Sequence, residues 1–334
     1  MRGDPRAPPF IGTIAATQEW TGGGGAENPT QRIAILRSVT TNAPSLASNG
    51  PSFLLRYLVK RARFANPLLS GRPAVTYASY RTGSTAIHHA IRSAGIGVSV
   101  KAHMLAFGNM VERVRDRQRF ANADTQIPKS CHVGDWSVRL GIVEPRREAD
   151  FVILVRDPWA VAHSIFVLSG PRTHPEFAAA PRDAHERARM VDRAEEIIFG
   201  AFPREIMCRW VREDVHTALG WNPLAQPFDA ERGVCEYEHG PWRIQLMRSD
   251  IPDERKSEAL RAFFKRPSIV VERKNDALSK TPISATVSEI AREAIARRPD
   301  AVAAMYGDAV CTHFWTARER DAMRARWTEP ATVA

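Results

Sequence analysis

The sequence has little of what would staple, anchor or metallate it. It holds only four cysteines in 334 residues, Cys131, Cys208, Cys235 and Cys311, far apart and with no C-x-x-C pair. That usage excludes a disulfide framework and leads to the expectation of reduced thiols in a cytoplasmic protein. No apolar run approaches the length that spans a bilayer, and no charged start followed by an apolar core opens the chain, so neither a transmembrane segment nor secretion is expected. His132 and Asp135 have no third ligand nearby and the remaining histidines are scattered, so no metal is expected. Zinc-finger, helix-turn-helix and RNA-module signatures are missing, which argues against a specific nucleic-acid partner. The G-x-x-x-x-G-K-[ST] nucleotide loop is missing too, which weakens an ATPase or GTPase reading.

What is present is a globular chain with an excess of positive charge. Hydrophobic residues make up 44%, enough for a substantial core, and 47 Lys and Arg against 37 Asp and Glu leave a formal charge of +10. Such a balance favours anionic ligands or surfaces without choosing among nucleotides, polyanionic sugars, nucleic acid and acidic membranes. Residues 1–30, with Pro5, Pro8, Pro9 and the run Gly22 to Gly25, have little apolar periodicity and are expected to form a disordered tail. Residues 31–70 form a basic lead-in with a short helix over Phe53 to Phe64, either a packing helix or a peripheral membrane contact. From there to about residue 330 no linker interrupts the pattern, and a single domain over 71–330 with helical insertions is expected.

The chemistry is organised around Val75 to Ile87. Ala74 to Ala78 is apolar or β-favouring, Arg81 to Thr85 is small, polar or cationic, and Ala86 to Ala94 suits a helix ending at Gly95. A strand, tight loop and helix start in that order leave unpaired N–H groups at the helix N-terminus, where the dipole also favours an anion. Arg81 supplies a two-pronged cation, Thr82, Ser84 and Thr85 add hydroxyls, and Gly83 permits close approach of the backbone. An ordinary capped turn is the alternative.

Further strands follow. Ile96 to Val100 alternates and delivers Lys101 and His103 at its C-terminal end, while Phe151 to Val155 is the continuous apolar run of a central buried strand. Arg156-Asp157-Pro158 breaks that run, with Asp157 as N-cap and Pro158 in the first turn of a helix reaching Leu168. Helices are expected over 104–117, 182–199, 205–219, 253–264, 288–298 and 316–327, strands over 242–247 and 269–271, and mixed structure over 118–149. The pattern is α/β.

Two further constellations point to the same ligand class. Arg156 and Ser164, eight residues apart across strand end, turn and first helical turns, can converge on one phosphate, the arginine giving charge and the serine a directional donor. Lys101 and His103 offer a cation and a group that titrates near neutrality, suited to moving a proton during group transfer.

In this order, Ser79-Tyr80-Arg81-Thr82-Gly83-Ser84-Thr85, the K-x-H of Lys101 to His103, and the R-[DN]-P-x-x-x-x-x-S of Arg156 to Ser164 resemble the sulfotransferases that use PAPS (3′-phosphoadenosine 5′-phosphosulfate). The resemblance implies a P-loop-type three-layer α/β/α sandwich with a mainly parallel sheet. It assigns Arg81, Thr82, Gly83, Ser84 and Thr85 to the 5′-phosphosulfate, Arg156 and Ser164 to the 3′-phosphate, Lys101 to charge stabilisation and His103 to deprotonation of a hydroxyl acceptor. Ala160 stands where that family often carries an acidic residue. Trp210 with Asp214, Pro227-Phe228-Asp229, Gly233, His313-Phe314-Trp315 and Trp327 resemble, over roughly residues 72 to 328, bacterial sulfotransferase-like proteins of capsular polysaccharide synthesis. That likeness implies a carbohydrate or small natural-product acceptor.

Three rivals remain: a kinase with an altered loop, a non-catalytic binder of nucleotide or polyanion, and a nucleic-acid protein. Within the chain, His88 and His89 read as structural or exposed, since adjacent helix positions point about 100° apart. The tryptophans Trp210, Trp221, Trp242, Trp315 and Trp327 read as core before they read as sugar-stacking platforms. Asp250 follows an expected strand, and Arg273-Lys274 resembles a basic nucleotide contact of cytosolic members of the sulfotransferase family, but Asn275 stands where the likeness implies a glycine, and all three are left outside the site.

Overall fold

The computed structural model describes residues 71–106, 108–110, 129–201, 206–272 and 283–329, with Val59, Ala62 and Arg63. All fall in the unit Asn49–Ala334. The tail expected over 1–30, nearly all of the lead-in over 31–70, most of the helix expected over 104–117, and Arg273-Lys274 lie outside the described residues.

The sheet begins where β-favouring residues are fully buried. β1 (Ala74–Ala78) leads to α1 (Ser84–Ser93), and β2 (Ser99–Ala102) lies parallel to β1 with Ala74 opposite Ser99. α2 (Lys129–Val138) precedes β3 (Ala149–Val155), all seven residues of which are buried. α3 (Pro158–Thr173) and α4 (Ala184–Glu196) follow. A π-helical stretch, Trp210–Val215, is flanked by the helical turns Ile206–Arg209 and His216–Leu219. Next come β4 (Val234–His239), β5 (Trp242–Arg248) and α5 (Asp253–Phe264). α6 (Ile283–Ala296), α7 (Pro299–Tyr306), α8 (Ala309–Phe314) and α9 (Ala317–Thr328) complete the described chain.

The strand order is β2-β1-β3-β5-β4, parallel except for β4, which pairs antiparallel with β5. Side-chain alternation along β3 feeds two cores. Phe151, Ile153 and Val155 face one with Trp159 and Phe166 of α3, and Val152 and Leu154 face the other with Ile87 and Ile91 of α1 and Leu260 and Phe263 of α5. Helices therefore cover both faces, and this is a five-stranded, mostly parallel α/β sheet compatible with three layers. Each fully buried aromatic or aliphatic side chain contributes on the order of 1.5–3 kcal/mol. Among the described residues no helix is long and apolar enough to cross a membrane.

β2 lies on one side of β1 and β3 on the other, so the winding reverses at β1. In open α/β sheets that reversal opens a crevice at the carboxyl ends of the strands, here those of β1 and β3. The expected second strand is displaced to Ser99–Ala102, and Ile269 to Val271 is not a strand. That segment lies on α5 instead, its Val271 N–H donating to Ser257 Oγ at 2.8 Å and its Ile269 carbonyl accepting from Arg261 Nε at 2.8 Å.

Candidate functional site at the carboxyl edge of the sheet

β1 delivers the loop Ser79 to Gly83 into the crevice. Thr82 Oγ1 donates to the Ser79 carbonyl at 2.9 Å and closes the turn. Arg81 at φ 62° and Gly83 at φ 81° are both left-handed, a conformation that costs a non-glycine residue about 1–2 kcal/mol and that Gly83 adopts without penalty. Gly83 occupies the N-cap of α1, where no side chain caps the helix and no acidic residue stands in the first turn. The N-terminus of α1 thus has no carboxylate of its own first turn to offset the positive end of the dipole.

Across the crevice, the end of β3 presents Arg156, whose Nη1 donates to the Arg81 carbonyl and ties the two loops together. Asp157 caps α3 by accepting from the Trp159 N–H at 2.9 Å, and Pro158 occupies the first turn. Ser164 lies two turns along α3. A cleft of about 670 Å³ is lined by Thr82, Gly83, Arg156 and Ser164 together with His163, Lys256 and Arg326. Four sequence candidates therefore meet in one cavity. Arg81, Ser84, Thr85, Lys101 and His103 are not among its lining residues: Arg81 and Thr85 are exposed, Ser84 is buried, and Lys101 Nζ donates to Thr85 Oγ1 at 3.2 Å beside the start of α1.

His103 is held from every side. Its N–H donates to Asp135 Oδ1 at 2.6 Å, its carbonyl accepts from Trp210 Nε1 at 2.7 Å, and its ring stacks on Tyr80 at 4.7 Å. Nδ1 lies 2.7 Å from the Ala78 carbonyl, which assigns the neutral ring's proton to Nδ1 and leaves Nε2 unprotonated. Burial, and next the Lys101 charge, push the imidazole down to about 4. Asp135 reaches this position because Gly134 packs directly on the β2 backbone: a Cβ there would stand 2.2 Å from the Lys101 carbonyl oxygen.

Two buried carboxylates that sequence reasoning undervalued organise the edge. Asp214, delivered by the π-helical stretch, accepts from Tyr77 Oη at 2.5 Å, Leu105 N at 2.7 Å, Ala106 N at 3.0 Å and Asn109 Nδ2 at 3.2 Å. Asp157 accepts from Tyr306 Oη at 2.9 Å, Arg326 Nη2 at 2.6 Å and Trp327 Nε1 at 3.0 Å in addition to its capping bond. Asp214 was visible in the sequence by resemblance alone, Trp210 and Trp327 by resemblance and as core aromatics, and Asp157 only as a cap. His163, whose Nε2 lies 3.1 Å from Ser288 Oγ, carried no sequence signal. Asp250, set aside on sequence, lines the cleft and is bonded to Arg248 and Trp315.

The tryptophans Trp210, Trp221, Trp242, Trp315 and Trp327 are all buried and belong to the core. His88 and His89 make separate bonds, to Ser99 and Ser93. Cys208, Cys235 and Cys311 are free thiols. Comparison with protein-family models, with curated proteins and with solved structures found no match.

Burial also holds His163 down to about 4, despite its bond to Ser288. Both histidines ordinarily titrate near 6.5, so the unfolded chain binds more protons than the folded one between pH 6.5 and 4. Their contribution to stability is complete above pH 6.5 and is lost as the pH falls toward 4. Urea midpoints measured between pH 7.5 and 4 are expected to decline in that window, less steeply in His163→Gln. An unchanged midpoint would show that neither ring is desolvated.

Proposed function

We propose that the protein is a sulfotransferase that moves a sulfuryl group from PAPS to a hydroxyl-bearing acceptor such as a glycan. The observation that carries this reading is the convergence of the uncapped α1 N-terminus with Arg156 and Ser164 on one cleft at the winding reversal of the sheet. The donor set suits a nucleotide with two anionic groups, because the cleft carboxylates are already engaged: Asp157 by Arg326, Asp250 by Arg248, and Asp253 by Lys256 at 2.7 Å. On this reading the fold is of the P-loop type.

PAPS, when bound, supplies the sulfuryl group and a phosphate leaving group. The first turn of α1, with Ser84 and Thr85, binds the 5′ end by N–H and hydroxyl donation, and Thr82, whose hydroxyl is spent on the Ser79 carbonyl, holds the turn that presents it. Arg156 and Ser164 hold the 3′-phosphate by charge and directed hydrogen bonding. Lys101, beside Thr85, offsets negative charge as the sulfur–oxygen bond to phosphate breaks, and His103 Nε2 takes the acceptor's proton as the new sulfur–oxygen bond forms.

Isothermal calorimetry with adenosine 3′,5′-bisphosphate, against AMP and magnesium ATP, tests the site without the acceptor. Binding that depends on the 3′-phosphate is expected, and Arg156→Ala should weaken it by about 1.5–3 kcal/mol through loss of a charged hydrogen bond. A preference for ATP, or no binding, would overturn the reading. A second reading, a nucleotide binder without turnover, is favoured by the exclusion of Lys101 and His103 from the cleft lining. It predicts the same calorimetry and no transfer from labelled PAPS to any hydroxyl.

A further inference from the structure

Resting on the reading of the cleft as a nucleotide site, we propose that Arg326 is a second arginine for the phosphate held by Arg156 and Ser164, so that one phosphate monoester dianion is held by two guanidinium groups.

Arg326 stands in the last turns of α9, and Met323, one turn earlier, lines the same cleft. α9 thereby lines the same cleft as the β3–α3 junction that carries Arg156, and meets that junction at Asp157. The ion pair between Arg326 and Asp157 is lopsided: the carboxylate is 3% exposed and the guanidinium 52%. One prong, Nη2, is spent on Asp157 at 2.6 Å. The guanidinium has further donors, and Arg326 lines the cavity.

The carboxylate does not cancel this charge. Asp157 caps α3, where the helix dipole stabilises its negative charge, and it also accepts from Trp159 N, Tyr306 Oη and Trp327 Nε1. Its charge is therefore shared among several donors, and Arg326 is held in place more than it is neutralised. The Trp327 ring adds a second restraint, 5.2 Å from the Arg326 guanidinium carbon and itself packed 5.3 Å from His163. A cation so restrained loses little side-chain freedom on meeting an anion. Besides burial, the charges of Arg292, Arg156 and Arg326 all disfavour protonation of His163. Arg156 and Arg326 line one cleft with His163 and Ser164, and Arg326 contacts Asp157, the chain neighbour of Arg156.

The test is calorimetry of the full chain with adenosine 3′,5′-bisphosphate and with 5′-AMP, using Arg326→Gln and Arg326→Lys. Glutamine keeps a donor for Asp157, and lysine keeps the charge without the fork. Arg326→Gln is expected to lower affinity for the bisphosphate about 10- to 100-fold and to leave 5′-AMP affinity nearly unchanged, with Arg326→Lys in between. Thermal melts identify a variant that has merely lost its fold, in which case Arg326→Lys alone decides. If wild type binds the bisphosphate and both folded variants match it, Arg326 has no role and the cleft reading stands. An equal loss for both nucleotides overturns the assignment to that phosphate. If wild type binds neither nucleotide, the cleft reading itself fails, and this proposal with it.

Discussion

Turnover is expected to fall about 10²- to 10⁴-fold when His103 is replaced by alanine, with affinity for adenosine 3′,5′-bisphosphate nearly unchanged. The expectation follows from the ring's setting. The Ala78 carbonyl accepts a hydrogen bond from Nδ1–H and leaves Nε2 unprotonated, while burial and the Lys101 charge keep the ring neutral at neutral pH. A base at about 4 is weak in the free protein. An anion beside Lys101 would offset the charge that depresses it, so the acid limb of kcat should lie at higher pH than that of kcat/KM. Release of adenosine 3′,5′-bisphosphate from PAPS over a panel of hydroxyl acceptors measures the effect. His103→Asn, which can still donate to the Ala78 carbonyl, separates proton transfer from packing: it should restore stability and not turnover. Recovery of turnover in that variant would remove His103 as the base.

The second large effect is on stability. Asp214→Ala would strand the Tyr77 hydroxyl and the Leu105 and Ala106 N–H groups in a buried site without their acceptor. At about 1–3 kcal/mol for each unsatisfied buried group, the loss should reach roughly 3–9 kcal/mol, a large share of the ~5–15 kcal/mol that holds a domain together. Burial raises the Asp214 pKa from its ordinary value, so the carboxylate is retained for the hydrogen bonds it accepts and not for exposure to solvent. Urea denaturation of Asp214→Ala and Tyr77→Phe, alone and combined, checks this. The alanine variant should be far the weaker, and the double variant should cost less than the sum, because Tyr77→Phe removes one of the stranded donors in advance. A loss below about 1 kcal/mol for Asp214→Ala would show that water replaces the carboxylate and that the segment after His103 does not depend on it.

Local signals carried far along this chain. The apolar run at Phe151 to Val155 reads as a central strand because only a strand buried on both faces has no polar alternation, and β3 is the middle strand. Asp157-Pro158 reads as a helix start because an N-cap carboxylate and a first-turn proline satisfy requirements set by the backbone alone, and α3 begins there. The turn at Gly83 is legible for the same reason. By contrast, β4 alternates only weakly in burial and passed unnoticed, since an edge strand gains its pairing from β5 and not from its own composition. Ile269 to Val271 misled in the opposite direction, being apolar and β-branched but with no strand beside it.

The sequence by itself determined the α/β pattern, the strand, loop and helix over Val75 to Ile87, and the strand end and helix that carry Arg156 and Ser164, because each depends on residues close together in the chain. Only the tertiary structure decided which candidates share a cavity. Thr82 and Gly83 are brought to Arg156 by the parallel register of β1 and β3, whose paired residues, Ala74 with Asp150 for one, are 76 positions apart in the chain. Asp157, Tyr306, Arg326 and Trp327 meet across as many as 170 positions. No periodicity can encode such a meeting, because it is produced by packing the C-terminal helices over one face of the sheet.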